Sequence, residues 1–129
     1  MNLMMVSVLA AALAFSPVNP TGTWAGTIAQ KNDDGTYGAN ASAWLQLQHD
    51  GAKISGRVGP SSDNSHPIEN AYLAGDKLTF STHLVDPESK EEMTWIFDLT
   101  VKDGSLEGVV KARRGEHSWE MRTSMSRIK

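Results

Sequence analysis

From Thr23 to Arg127 the chain is written in short runs that alternate apolar and polar residues, most of them ended by a glycine-bearing turn. The clearest run is 92–102. There Met93, Trp95, Phe97, Leu99 and Val101 share one parity, and Thr94, Ile96, Asp98 and Thr100 share the other. Period two is the spacing at which the side chains of a strand return to the same face. Nothing after Pro20 shows the 3.6-residue apolar period of a long helix. The pattern predicts an all-β chain whose strands each bury one face.

Eight strands are expected, over 23–30, 39–49, 53–59, 68–73, 77–84, 92–102, 105–113 and 117–127. Parity places Trp24, Gly26 and Ile28 inward on the first, Leu45 and Leu47 on the second, and Ile54, Gly56 and Val58 on the third. Leu78, Phe80, Thr82 and Leu84 face inward on the fifth, and Leu106, Gly108, Val110 and Ala112 on the seventh. The eighth contributes Trp119, Met121, Thr123, Met125 and Arg127. The fourth run is inconsistent, because Ile68 and Leu73 share a face only across a bulge. Tight turns are expected at Asp50-Gly51, Ala74-Gly75-Asp76, Asp103-Gly104 and Arg114-Gly115-Glu116, since two-residue hairpin loops need a positive φ that glycine accepts. Residues 31–38, 59–67 and 85–91 are longer polar loops.

Eight antiparallel strands joined in this way predict an up-and-down β-barrel, in which closure removes the sheet edges. Successive connections fall at alternate ends. The three long loops therefore share a mouth, and the Asp-Gly and Gly-Asp turns share a tight base. Trp24 and Arg127 have the same inward parity and belong to the same end. The guanidinium is expected over the indole ring, a cation–π contact of ~1 kcal/mol or more when partly buried. Gly22, Trp24 and Arg127 are accordingly read as the structural base.

Composition narrows the function classes. A chain of 129 residues is enough for one domain, and such a domain buries about two-thirds of its unfolded surface without disulfides. The absence of cysteine excludes a disulfide framework, a thiol nucleophile and thiolate metal sites. The net charge is -3, with both signs interspersed and no basic stripe, so nucleic acid is not an expected partner. Residues 1–15 carry no charged side chain, and Ala12-Leu13-Ala14 has the small-x-small form of a cleavage site. Residues 1–14 are read as a signal peptide ahead of a single domain over 15–129, and the mature chain is expected to be secreted or periplasmic. The apolar run is shorter than the ~20 residues of a membrane span.

Gly22-x-Trp24 on the first strand, with an inward Arg127 near the end of the last, resembles the signature of lipocalin-like barrels of the calycin group. Avidins share the Gly-x-Trp opening. Ile54-Ser55-Gly56, the stretch from Gly75 to Phe80 and the stretch from Gly104 to Gly108 resemble motifs of small secreted bacterial barrels, mostly uncharacterised. The resemblance covers almost all of the chain after the leader. It implies a β-barrel, and it permits either ligand binding or protease inhibition. The chain departs from the family in lacking a C-terminal helix, a disulfide and an avidin-type set of biotin contacts, so a retinol- or biotin-like ligand is not implied.

The candidate ligand-binding residues are Ile28, Phe80, Leu84, Met93, Trp95, Trp119 and Met121 on the inward parity, with Tyr37 at the mouth. Such a set either lines an apolar pocket or forms an ordinary filled core, since small barrels do both. The inward glycines Gly26, Gly56 and Gly108 either leave space for a ligand or, the favoured reading, relieve crowding where strands bend. His49, His66, His83 and His117 lack the i, i+2 or i, i+4 spacing of a metal site, so no metal is expected. No Gly-x-Ser-x-Gly elbow is present, and Glu88, Glu91 and Glu92 read as a solvated loop face. The chain is not expected to be an enzyme or to carry a cofactor. The expected function is binding of a small apolar or amphipathic ligand through the long-loop end. The alternative is a protein-interaction or protease-inhibitor-like barrel that has a filled core and acts through its loops.

Overall fold

The computed structural model describes residues 19–129, so the expected leader over 1–14 lies outside them. The strands are β1 (Gly22–Gln30), β2 (Ala41–Asp50), β3 (Lys53–Gly59), β4 (His66–Pro67), β5 (Glu69–Ala74), β6 (Lys77–Val85), β7 (Glu92–Lys102), β8 (Ser105–Arg114) and β9 (His117–Arg127). All pairings are antiparallel, in a single sheet of order β4-β3-β2-β1-β9-β8-β7-β6-β5. No helix occurs among the described residues.

This corrects the expected eight-stranded closed barrel. The sheet has nine strands, and its two ends, β4 and β5, are consecutive in the chain with only Ile68 between them. Among the described residues no ladder pairs β3 or β4 with β5, so the sheet is not closed. The physical reason lies in the expected fourth strand. Its first part pairs with β3, through Val58 opposite His66 and Arg57 opposite Pro67, and the Ile68 N–H donates to the Gly56 carbonyl at 3.0 Å. Its second part pairs with β6, and the register shifts between Glu69 and Tyr72. Asn70, at φ 53°, is left-handed and absorbs the extra residue. Ile68, Ala71 and Leu73 can then all pack against the core, which resolves the parity conflict of that run.

One turn is also shifted from its expected place. Asp50 pairs with Lys53, so the loop is Gly51-Ala52, with Gly51 at φ 62°.

The inner face holds a single apolar core. Trp24, Leu45, Leu47, Val58, Leu78, Leu99, Val101, Leu106, Val110 and Met125 are all buried in it. These residues come from β1, β2, β3 and β6 to β9, so a sheet that never closes its ladder still curls around one interior.

The end of the sheet bearing the tight turns is sealed. Trp24 is fully buried, and its Nε1 donates to the Pro20 carbonyl at 3.0 Å. Arg127 pairs with Trp24 across β1 and β9, and its guanidinium carbon lies 4.6 Å from the indole centroid. The same guanidinium donates to the Asn19 carbonyl at 2.7 Å. The two ends of the described chain are stitched together there, with Ile128 N–H donating to the Thr23 carbonyl at 2.8 Å.

Gly26, Gly56 and Gly108 have backbone of the neighbouring strand where a side chain would sit. A Cβ on each would fall 1.9, 1.9 and 2.1 Å from the carbonyl oxygens of Ser124, Gln46 and Asp98, respectively. Their missing side chains are filled by adjacent strands and leave no room for a ligand.

Candidate functional site

The opposite end of the sheet is different. The connections 31–40, 60–65 and 86–91 gather there, with the short turn Gly115-Glu116. Beneath them lies a cavity of about 380 Å³ with almost wholly apolar walls. Its size is within the ~300–1,000 Å³ of small-molecule sites. The wall residues come from β1, β2, β3, β4, β6, β7 and the 60–65 loop.

Depth in the cavity follows from strand register. Trp95 is opposite Thr82, and one step deeper Phe97 is opposite Phe80. Phe97 lines the cavity, whereas Phe80 does not. The two rings stack with centroids 4.7 Å apart and planes 15° from parallel. Phe97 therefore forms the floor, and Phe80 belongs to the packed core behind it. Ile28, Val58, Leu84 and Trp95 form the sides. Thr82 is the buried polar wall residue, and its hydroxyl is satisfied by donating to the Pro67 carbonyl at 2.8 Å. Asn64 and His66 bring polar groups to the rim, which Ser42 borders between Ala41 and Ala43.

The rim loop is held by its own bonds. Arg57 on β3 donates from Nη2 to the Ser65 carbonyl at 2.7 Å and from Nε to the Ser65 hydroxyl at 3.0 Å. Asn64 N–H donates to the Ser61 carbonyl at 3.2 Å. Gly59 makes this course possible, because a Cβ there would fall 2.0 Å from the Asn64 carbonyl oxygen.

Trp95 carries an unpaired donor. Its Nε1 is buried and finds no hydrogen-bond partner among the described residues. An unpaired buried donor costs about 1–3 kcal/mol, and positions that bear such a cost merit a functional explanation. Because the Nε1 atom is itself out of reach of solvent, a ligand in the cavity meets the apolar surface of the indole.

Of the expected ligand-binding residues, the cavity collects Ile28, Leu84 and Trp95. Phe80 and Met121 are core residues, 2% and 6% exposed, and do not line it. Met93 is half-buried opposite Leu84 and is not part of the lining. Trp119 packs against the core and borders a separate surface groove with Ile96, Lys111 and Arg113. Tyr37 is the clearest departure from expectation. Its loop folds back through a Lys31–Tyr37 bridge, and the Arg122 guanidinium carbon lies 4.0 Å from its ring centroid. Arg122 alternates with the buried Met121 and Thr123, so Tyr37 sits on the outer face of the sheet. The residues that parity did not single out, Ser42, Asn64 and His66, lie at the rim. The polar run 59–67 signalled a loop there without showing where it would lie.

The remaining histidines are dispersed. His83 is on the outer side of β6, with Nδ1 3.2 Å from Glu92 and Nε2 3.5 Å from Glu69. Opposed ring nitrogens facing separate carboxylates do not converge on one ion. No group of three or more acidic or histidine side chains is arranged to hold a metal among the described residues. A larger depression of about 540 Å³ at Glu91, Glu92, Arg114 and His117 is open and bordered by charged side chains, so it does not enclose an apolar molecule.

No protein-family model matches the chain, and no curated protein or solved structure matches it.

Proposed function

We propose that this chain is a small-ligand-binding protein, secreted or periplasmic, whose curled sheet acts as a barrel around one apolar or amphipathic molecule. The observation that carries the reading is the cavity at the long-loop end, floored by Phe97 and walled by Ile28, Leu84 and Trp95. The asymmetry of the two ends supports it. One end is plugged by Trp24 under Arg127, and the other has an apolar recess under a braced loop. A protein acting only through its loops has no need of such a recess.

Burying apolar ligand surface in the cavity stabilises the complex by roughly 25 cal/mol per Å² before the costs of association. A ligand that binds the folded chain alone raises the unfolding temperature by mass action. Thermal unfolding against a series of n-alkanols from butanol to dodecanol tests this. The stabilisation should grow with chain length and then stop once the tail outgrows the cavity. A flat response across the series would contradict the proposal.

A further inference from the structure

We propose that the natural ligand is a monocarboxylate, its apolar tail between Ile28, Leu84 and Trp95 and its carboxylate held at the rim by the His66 ring. This rests on the reading of the cavity as a ligand site and names the class of ligand that it takes. The chain has 15 acidic and 12 basic residues, yet among the described residues the cavity lining contains no Asp, Glu, Lys or Arg, and His66 is its one titratable group.

The position of His66 is set by pairing. It lies opposite Val58, whose side chain is buried on the inner face, and its backbone neighbour Pro67 is opposite Arg57. Neither the His66 ring nor the Asn64 side-chain amide makes a hydrogen bond among the described residues, whereas Ser42 alternates with the inward Ala43 and turns its hydroxyl to the outer face. Among the described residues, the ring and the amide can both donate at the rim. A cationic head would enter an apolar recess with no carboxylate to pair it, which is costly. A carboxylate head instead finds two donors, the imidazole N–H of His66 and the Asn64 amide, and hydrogen bonds to an ionised acceptor are stronger than those between neutral groups.

Charged or titratable groups occur on the neighbouring elements: Lys53 and Arg57 on β3, Asp63 in the loop, Glu69 on β5, and Lys77 and His83 on β6. None of them is a lining residue. Arg57 is bonded to the Ser65 carbonyl, immediately before His66 in the chain. It braces the backbone that carries the imidazole and adds no negative charge to the rim.

Calorimetric titration of octanoate and 1-octanol into the unaltered protein and His66→Leu tests the assignment. Octanoate should bind several-fold and up to about tenfold less tightly to His66→Leu, as expected for the loss of one hydrogen bond to an ionised head. Octanol affinity should change little. His66→Gln, which keeps a donor, should recover part of the octanoate affinity. Octanoate binding that is unchanged in His66→Leu would overturn this inference alone, as would an equal loss for both compounds. Failure of both compounds to bind the unaltered protein would overturn it together with the cavity reading.

Discussion

Phe97 stacks on Phe80, centroid to centroid at 4.7 Å, and this pair marks the level at which the packed interior ends and the cavity begins. Phe97→Ala should destabilise the fold by about 3–5 kcal/mol, the usual cost of emptying an aromatic core position. It should also deepen the cavity. In the alkanol series the chain length of best stabilisation should move to longer compounds. A variant that loses stability but keeps the wild-type length preference would show that Phe97 is not the floor.

At the sealed end, Arg127 lies over Trp24 and bonds the Asn19 carbonyl, while the Trp24 indole bonds the Pro20 carbonyl. Trp24→Ala should cost about 3–5 kcal/mol, and Arg127→Ala should cost less. Because the two side chains touch, the double mutant should depart from additivity by about 0.5–1 kcal/mol or more. Denaturant unfolding of the four proteins in the cycle measures this. Neither substitution should alter ligand affinity in the molecules that remain folded, because both residues are remote from the cavity.

Gly59 sits where the rim loop turns over the cavity. Gly59→Ala places a Cβ 2.0 Å from the Asn64 carbonyl oxygen, which is backbone and can yield only if the loop moves. The expected result is weaker binding of octanoate by about tenfold, roughly 1.4 kcal/mol, with a smaller loss for octanol. Ser62→Ala, in the same loop, is the comparison and should change little. Equal binding by Gly59→Ala and the unaltered chain would show that the course of the loop does not matter to the site.

Two loop carboxylates give a pH signature. Hydrogen bonds from the Thr36 hydroxyl and backbone hold the Asp34 carboxyl below its ordinary value, and the Glu88 and Ser89 backbone N–H groups do the same for Asp86, aided by Arg114. A carboxylate depressed by folding stabilises at any pH above its unfolded value and loses that contribution as pH falls through the folded one. The loops should therefore be indifferent to pH near neutrality and loosen only in acid. Followed by NMR, the Thr36 and Glu88 amide shifts should titrate with midpoints below 3.8. Midpoints at or above that value would contradict the hydrogen-bonded geometry.

Alternation made the strands and their faces legible, because a half-buried strand must repeat at two residues. It said nothing of depth. Phe80, Met121 and Trp95 share one inward parity, but only Trp95 reaches the cavity. Closure was not legible either. The left-handed Asn70 divides one expected strand between β3 and β6, and its trace in the sequence was only the parity clash of Ile68 and Leu73. The rim was the least visible part. Asn64 and His66 reach the cavity through a loop set by Gly59 and Arg57, and Tyr37 leaves it through a loop folded outward onto Arg122. Loop paths depend on such individual contacts, which no periodicity records.

The apolar cavity at the long-loop end is not filled by side chains. Ala43 is a buried wall residue, so a larger side chain there projects into that space. The decisive measurement is the paired unfolding temperature of Ala43→Leu and the unaltered chain, each with and without saturating octanol. The expected result is that Ala43→Leu is at least as stable as the unaltered chain without ligand, having filled a void, and that octanol no longer stabilises it. If the interior were instead already packed, the added methylenes would destabilise the fold by about 1–3 kcal/mol. The unaltered chain would then show no response to octanol, and the long-loop end would hold no ligand site.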